Sequence, residues 1–284
     1  MNPDIARSTH RTLEPYHAMV YFVPEAQQEY VALGLDSKAN RAVGYFPARA
    51  AAMGAVTWPT VHATFFNFSA VAVQFGITGV WDIASPEDVL AARLRGADRA
   101  LTRICGDQLD DLGEAVGLAR RATEGCTPYG RPLYAAHAAL PWPEPLHLQL
   151  WHAVTLLREF RGDGHIAALV GAGLTGLEAA ILHVAMPGSP WNRQALQATR
   201  VYSDEEWDAA AASLGARGWL HADGSLSEDG TARREAIELL TDELALPAWE
   251  RIGEEGAQQL RDLVRPLSQA ISGAGTFGRM GPGL

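Results

Sequence analysis

The chain has 284 residues, 48% of them apolar and 20% charged, with a net charge of −10 and only two cysteines. That balance fits a globular protein long enough to bury a core and excludes a disordered or fibrous chain. Cys105 and Cys126 are too few for a zinc cluster or a disulfide framework, and no run of about 18 apolar residues offers a membrane span.

Residues 1–11 are polar, so no secretory signal is expected and a reducing cytoplasm is the expected setting. From there Leu13, Tyr16, His17, Val20 and Tyr21 recur at helical spacing through residue 30, with a second helix expected from Pro24 to Gly34. Residues 44–59 read as turn-rich, and residues 60–75 resume an apolar pattern. Ser85-Pro86-Glu87-Asp88 is a helix start, because Ser caps, Pro suits the first turn and the acids meet the positive dipole end. That helix is expected to reach Ile104, and another to span 107–123. The prolines at 128, 132, 141, 143 and 145 mark 125–145 as a loop. The main boundary is placed there, giving an N-terminal helical domain, 1–140, and a second unit, 141–284. The second unit begins with a long helix from His147, bent at Gly162 and Gly164, followed by a helix over 174–186.

Beyond residue 191 the pattern changes. A short helix over 192–199 precedes a helix capped by Ser203 that ends at Arg217-Gly218. Trp219-Leu220-His221 reads as a strand, Asp223-Gly224 as a tight turn, and Leu226-Ser227 as a returning strand before a helix over 231–245. That order resembles a winged helix of the MarR type. The expected fold is therefore mainly α with a small β-wing. The Gly-rich tail after Gly273 is expected to fray.

A helix that reads the major groove needs Arg, Lys, Asn or Gln in its first turn. This one presents Asp204, Glu205, Glu206 and Asp208, and residues 203–246 hold eleven acids against three basic residues, a local charge of −8. Such a unit is repelled by a duplex, so DNA is disfavoured as a partner and the unit reads as a scaffold or dimerisation element. A homodimer is thus a candidate assembly, and Arg193, Arg200, Arg233 and Arg234 are the residues that keep duplex contact open.

Gly171-Ala172-Gly173-Leu174-Thr175-Gly176 fits the dinucleotide-binding spacing, but no βαβ units follow it, and a glycine-bearing turn between helices is expected instead. The stretch 151–165 is the densest mixture of apolar and ionisable residues. At about 100° per residue, Arg158 and His165 share a helix face with Arg161 beside them, an arrangement suited to an anion. His152, Glu159 and Asp163 share a neighbouring face, and such a set could polarise a water. Ion pairs between helices would account for the same residues. Gly162 and Gly164 favour a site, since a mid-helix glycine costs roughly 1 kcal/mol unless something must approach closely. In the N-terminal half, Glu14-x-x-His17 lacks the second such pair that a di-metal centre requires, so no metal and no cofactor are expected. Tyr45-Phe46 and Phe65-Phe66-Asn67-Phe68 suit a ligand pocket or plain core.

The strings Leu13-Glu14-Pro15-x-His17, Tyr45-Phe46, Phe66-Asn67-Phe68-Ser69, Leu156-Leu157-Arg158-Glu159, Arg161-Gly162-Asp163-Gly164-His165 and Ser203-Asp204-Glu205-Glu206-Trp207 resemble those of a family of similar-length proteins from high-GC bacteria. That family is known only as helix-turn-helix or winged-helix. The resemblance covers nearly the whole chain and implies a helical domain joined to a MarR-like winged helix, with no activity attached. The residues themselves point to a small-molecule-binding protein, with an enzyme of specialised metabolism as one form of it. Arg158, Arg161 and His165 would hold an anionic ligand, with His17, Tyr45, Asn67 and Trp151 around it and His152, Glu159 and Asp163 as the acid–base set. The alternatives are a ligand-responsive transcription regulator and a scaffold.

Overall fold

The computed structural model describes residues 1–35 and 42–278, and its regular elements there are all helical. Helices α1 (Asp4–Ala18) and α2 (Pro24–Ala32) open the chain, and α3 (Ala42–Ala50), α4 (Trp58–Phe65), α5 (Ala70–Ile77) and the single turn α6 (Val80–Ile83) follow. Then come α7 (Pro86–Cys105), α8 (Gly113–Thr123), α9 (Pro132–Ala138) and the long α10 (Leu146–Gly171). The rest is α11 (Gly176–Val184), α12 (Arg193–Arg200), α13 (Asp204–Ala216), α14 (Glu228–Glu250) and α15 (Gly253–Gly273).

Local chemistry sets the starts of several helices. Ser85 accepts a hydrogen bond from the Asp88 N–H at 3.1 Å to begin α7, with Pro86 in the first turn. Thr175 with Glu178 and Ser203 with Glu206 form reciprocal capping boxes at α11 and α13. Ser227 caps α14 by accepting from the Gly230 N–H at 2.8 Å.

Helix α10 is the axis of the molecule. Its buried residues are not confined to one stripe, because α1, α8, α9 and α14 pack around it. The largest core cluster joins residues of α1, α2, α7, α8 and α10 to Trp249 and Leu260 of α14 and α15, so it draws on both sides of residue 140. A second cluster unites the end of α10 with α11, α12 and α13 through Leu169, Trp191, Trp207 and Trp219. A third, aromatic one is built on Phe46, Phe65 and Phe68.

The expected β-wing is not formed. Among the described residues there are no strands, and the segment between α13 and α14 holds one isolated antiparallel bridge, Leu220 to Leu226. The Asp223-Gly224 turn does close there, with the His221 N–H donating to the Ser225 carbonyl at 2.9 Å. Only five residues separate the bridged pair, and both ends are drawn into helices by the Arg217-Gly218 stop and the Ser227 cap, so no ladder can extend. The mainly α part of the expected fold class stands; the MarR-like winged helix with a small β-wing does not.

Three local expectations are also corrected. The stretch read as turn-rich contains α3, with Pro47 inside it, and the stretch read as loop contains α9, started by Pro132. Helix α10 runs unbroken through Gly162 and Gly164. The glycine at 164 answers a close approach, since a Cβ there would lie 2.7 Å from Arg131 Nη1. Arg131 crosses the helix at that point to donate to the carbonyls of Phe160 and Leu244. Of the Gly-rich tail, Phe277 is buried against Phe22, and residues 279–284 lie outside the described residues.

Candidate functional site

A cavity of about 690 Å³ opens between the second and third clusters, walled by the C-terminal half of α10. Phe65, Phe66 and Phe68 form one side, Leu174, Trp191 and Leu196 another, and charged groups from α1, α3, α10 and α14 close the rest. Its size lies in the range of pockets that enclose organic ligands.

Seven of the residues singled out from the sequence line this cavity: Arg158, Arg161 and His165, with Tyr45, Asn67, Glu159 and Asp163. The charged ones are organised into two networks. In the first, Glu159 is the hub. Arg49 donates to it at 3.0 and 3.2 Å, Arg158 donates at 2.7 Å, and Arg49 also donates to the Tyr45 hydroxyl at 2.8 Å. Burial opposes ionisation of Glu159, but the Arg158 and Arg49 guanidiniums outweigh it and hold the carboxyl well below the usual range. Glu14, with Arg158 Nε only 3.8 Å away, is pushed by burial up to about 7.

The second network centres on Asp242, which accepts from Arg7 at 2.6 Å and from Arg161 at 2.9 Å. Arg161 also reaches Glu238 at 3.6 Å, and Arg234 donates to Glu238 at 3.1 Å. His165 Nδ1 lies 2.9 Å from the Thr241 hydroxyl, whose own proton is directed to the Ile237 carbonyl at 2.7 Å. The imidazole is therefore the donor through Nδ1, and its Nε2 carries a lone pair. Burial lowers His165 to about 4, which keeps it neutral at physiological pH.

The remaining expected site residues lie elsewhere. His17 is buried within the core and satisfied as a neutral ring, with Nδ1 3.1 Å from Thr155 Oγ1 and the Tyr21 hydroxyl 3.2 Å from Nε2. Trp151 donates to the His17 carbonyl at 3.3 Å, with Arg93 stacked 4.5 Å over its ring. His152 packs edge-on against Trp142, and burial lowers it to about 4. It shares a helix face with Glu159, but seven residues of α-helix carry it about 10 Å along the axis and away from the cavity. The structure thus does not bring His152, Glu159 and Asp163 into one acid–base set. Asp163 caps α9, accepting from the Leu133 and Tyr134 N–H groups at 3.0 and 2.9 Å. Burial pushes it up to about 6 in spite of those two donors.

The sequence reading missed Arg49, and it placed Arg200 and Arg234 on a duplex-facing surface. Tyr45 and Arg49 are spaced i, i+4, a signal hidden by reading that stretch as turns. Leu196 and Arg200 share the same spacing on α12 and are both buried on the face turned toward the cavity. The other two arginines named for duplex contact are ion-paired. Arg193 donates to Asp204 and Asp208, both at 2.7 Å, and Arg233 pairs with Asp229.

The rim is a tight turn. Phe66 has φ +51°, and the Asn67 N–H donates to the Phe65 carbonyl at 2.6 Å, closing a γ-turn in a conformation seldom adopted outside glycine. Gly176 makes room for it, since a Cβ there would collide with the Phe66 carbonyl. This accounts for the last glycine of the 171–176 motif, which is a turn between α10 and α11 as expected. Two residues on, the Ser69 N–H donates to the Arg200 carbonyl at 3.1 Å, which ties the aromatic rim to the end of α12.

Fold and site together define a mainly α-helical protein with an arginine-lined cavity. The chain matches the helix-turn-helix family over residues 6–278 and belongs to it. No curated protein and no solved structure matches it. Among the described residues no single helix is long and apolar enough to cross a membrane.

Proposed function

We propose that this helix-turn-helix family protein receives a small organic molecule in the cavity between its aromatic rim and helices α10 to α12. One observation carries the proposal: a cavity of about 690 Å³ combines an apolar side of Phe, Trp and Leu with a polar one of guanidinium groups and the His165 imidazole. A pocket that is mostly apolar with a few convergent polar groups orients an organic ligand while burying most of its surface. Arg158, Arg161 and His165 belong to that polar side. Arg158 and Arg161 are already engaged by carboxylates and His165 is a neutral ring, so none of the three is a free positive charge.

The test is a titration with anilinonaphthalene sulfonate, an aromatic probe that fluoresces on leaving water. One site per chain is expected, together with its loss in Ala179→Trp, which fills the cavity from α11. No binding to the wild-type protein, or binding unaffected by Ala179→Trp, would sink the proposal.

A second reading is favoured by family membership: a regulator that binds duplex DNA and responds to the ligand. The helix α12–α13 pair would then be the DNA-facing unit, and α12 supplies both Arg200 to the cavity and Arg193 to the surface beside α13. Binding to a non-specific duplex that weakens steeply between low and moderate salt is its signature. Binding that is insensitive to salt, or none at all, would leave the cavity as the functional unit.

A further inference from the structure

Arg200 stands apart from the other cavity arginines. It is 94% buried (6% exposed), it lines the cavity, and among the described residues no carboxylate, hydroxyl or carbonyl accepts from its guanidinium. Arg49, Arg158, Arg161, Arg7 and Arg234 are each paired with an acid, and Arg11 is exposed. What Arg200 does contact is aromatic. Its guanidinium carbon lies 4.2 Å over the Phe68 ring and 6.0 Å from Trp191. A ring takes up none of the in-plane N–H donors of a guanidinium beside it, and those donors are what takes a carboxylate two-pronged. Burying such a group without a counter-charge opposes folding, and a bound anion would remove that cost.

We infer that Arg200 receives the anionic group of an organic monoanion, a carboxylate or sulfonate, whose apolar body lies against Phe66, Phe68, Trp191 and Leu196. The inference rests on the cavity being a ligand site and adds the class of the ligand. Among the described residues Arg200 is the buried cavity arginine with no acid partner, so a single anionic group is matched there, and the aromatic side accommodates a flat hydrocarbon body. Dianions such as phosphate monoesters would also face Glu159, Glu238 and Glu235, whose arginine neighbours are already engaged with acids. The position also has a consequence for the helix-turn-helix segment. Arg200 is the last residue of α12, three residues before the Ser203 cap of α13, and its carbonyl holds the Ser69 N–H. An anion bound there fixes the junction between the aromatic rim and α13.

The experiment compares anilinonaphthalene sulfonate with its uncharged counterpart, phenylnaphthylamine, on the wild-type protein, R200M and R200K. The wild type should bind the sulfonate at least about tenfold more tightly, the order expected of a buried charge-assisted hydrogen bond. R200M should lose that preference and hold the neutral probe within about twofold of the wild type, while R200K should keep part of the preference. R200Q gives the same readout as R200M if the methionine variant does not fold. Equal affinities in the wild type, or a sulfonate preference that survives in R200M and R200Q, overturns the role of Arg200 and leaves the cavity proposal standing. Failure of both probes to bind the wild type overturns the two together.

Discussion

At the scale of single residues, the buried charges carry the sharpest expectations. Glu159 is the shared counter-charge of Arg49 and Arg158, with Glu159 and Arg49 buried and Arg158 largely so. Glu159→Gln leaves two guanidiniums facing each other with one neutral acceptor. Removing one partner of a buried ion pair costs about 3–5 kcal/mol, so thermal denaturation should show a Tm lower by on the order of 10 °C. A variant as stable as the wild type would mean that water reaches the pair. Arg200 should behave oppositely. R200M removes a buried charge with no partner, and the unliganded variant should melt at or above the wild-type temperature.

Histidines set the pH response. Burial lowers His10, His17, His137, His152, His165 and His183 below the ordinary histidine range, with His137 near 3 and His152 and His165 near 4. Each is neutral in the folded chain and charged in the unfolded one between its folded value and about 6.5. The unfolded state then binds more protons, so stability is lost as pH falls through that window. Glu14 and Asp163, raised to about 7 and 6, work the other way, since their folded protonated forms are favoured as pH falls. Six groups against two gives a Tm that declines from about pH 6.5 to pH 4. A Tm flat across that range would show the histidines to be solvated.

At the scale of elements, α10 illustrates how one glycine serves packing. Arg131 passes where a side chain at 164 would stand, and its donors satisfy two carbonyls, one on α10 and one on α14. Gly164→Ala should gain helix propensity and still destabilise by about 1–3 kcal/mol through overpacking. Chemical denaturation of that variant alone and combined with Arg131→Ala checks the cause. The alanine at 164 should become neutral or favourable once the guanidinium is gone. The starts at Ser85 and Ser203 were legible in the sequence, because a cap is a local event and each bonds within three residues of itself, whereas Ser227, read as a strand residue, is the cap of α14. Helices α3 and α9 were hidden because proline and glycine content suggests turns, whereas Pro132 starts a helix and Pro47 is held in one by packing against α5 and α7. The β-wing failed as an expectation for a related reason. A strand pair needs length for its ladder, which the Trp219–Ser227 stretch, hemmed in by two helices, does not have.

At the scale of the whole molecule, ligand and fold are thermodynamically linked. Anything that binds the folded chain alone raises its stability with concentration, by about 4 kcal/mol at a thousand times the Kd. An aromatic monosulfonate should therefore raise the Tm of the wild type progressively and that of R200M much less. If α12 and α13 face a duplex, the same ligand should alter the salt-dependent affinity for non-specific DNA, since Arg200 closes the helix that precedes α13. A mobility assay with and without the probe reads that coupling, and identical affinities would separate the cavity from any regulatory role.

The sequence by itself determined the mainly α class, the helix starts at Ser85 and Ser203 and the concentration of ionisable groups at 158–165, because each follows from local spacing and composition. Tertiary structure decided which of those groups meet. Periodicity places His152 and Glu159 on one face two turns apart, but only the packing of α10 sets one against Trp142 and the other between two arginines. Likewise nothing local distinguishes Arg200 from Arg193. Both sit on one amphipathic helix, and the fold turns one toward Asp204 and Asp208 in water and the other into a cavity without a counter-charge. A charge's partner is a matter of what the chain brings back from more than a hundred residues away, as Asp242 comes to Arg7 and Glu159 to Arg49, and no window of sequence contains that distance.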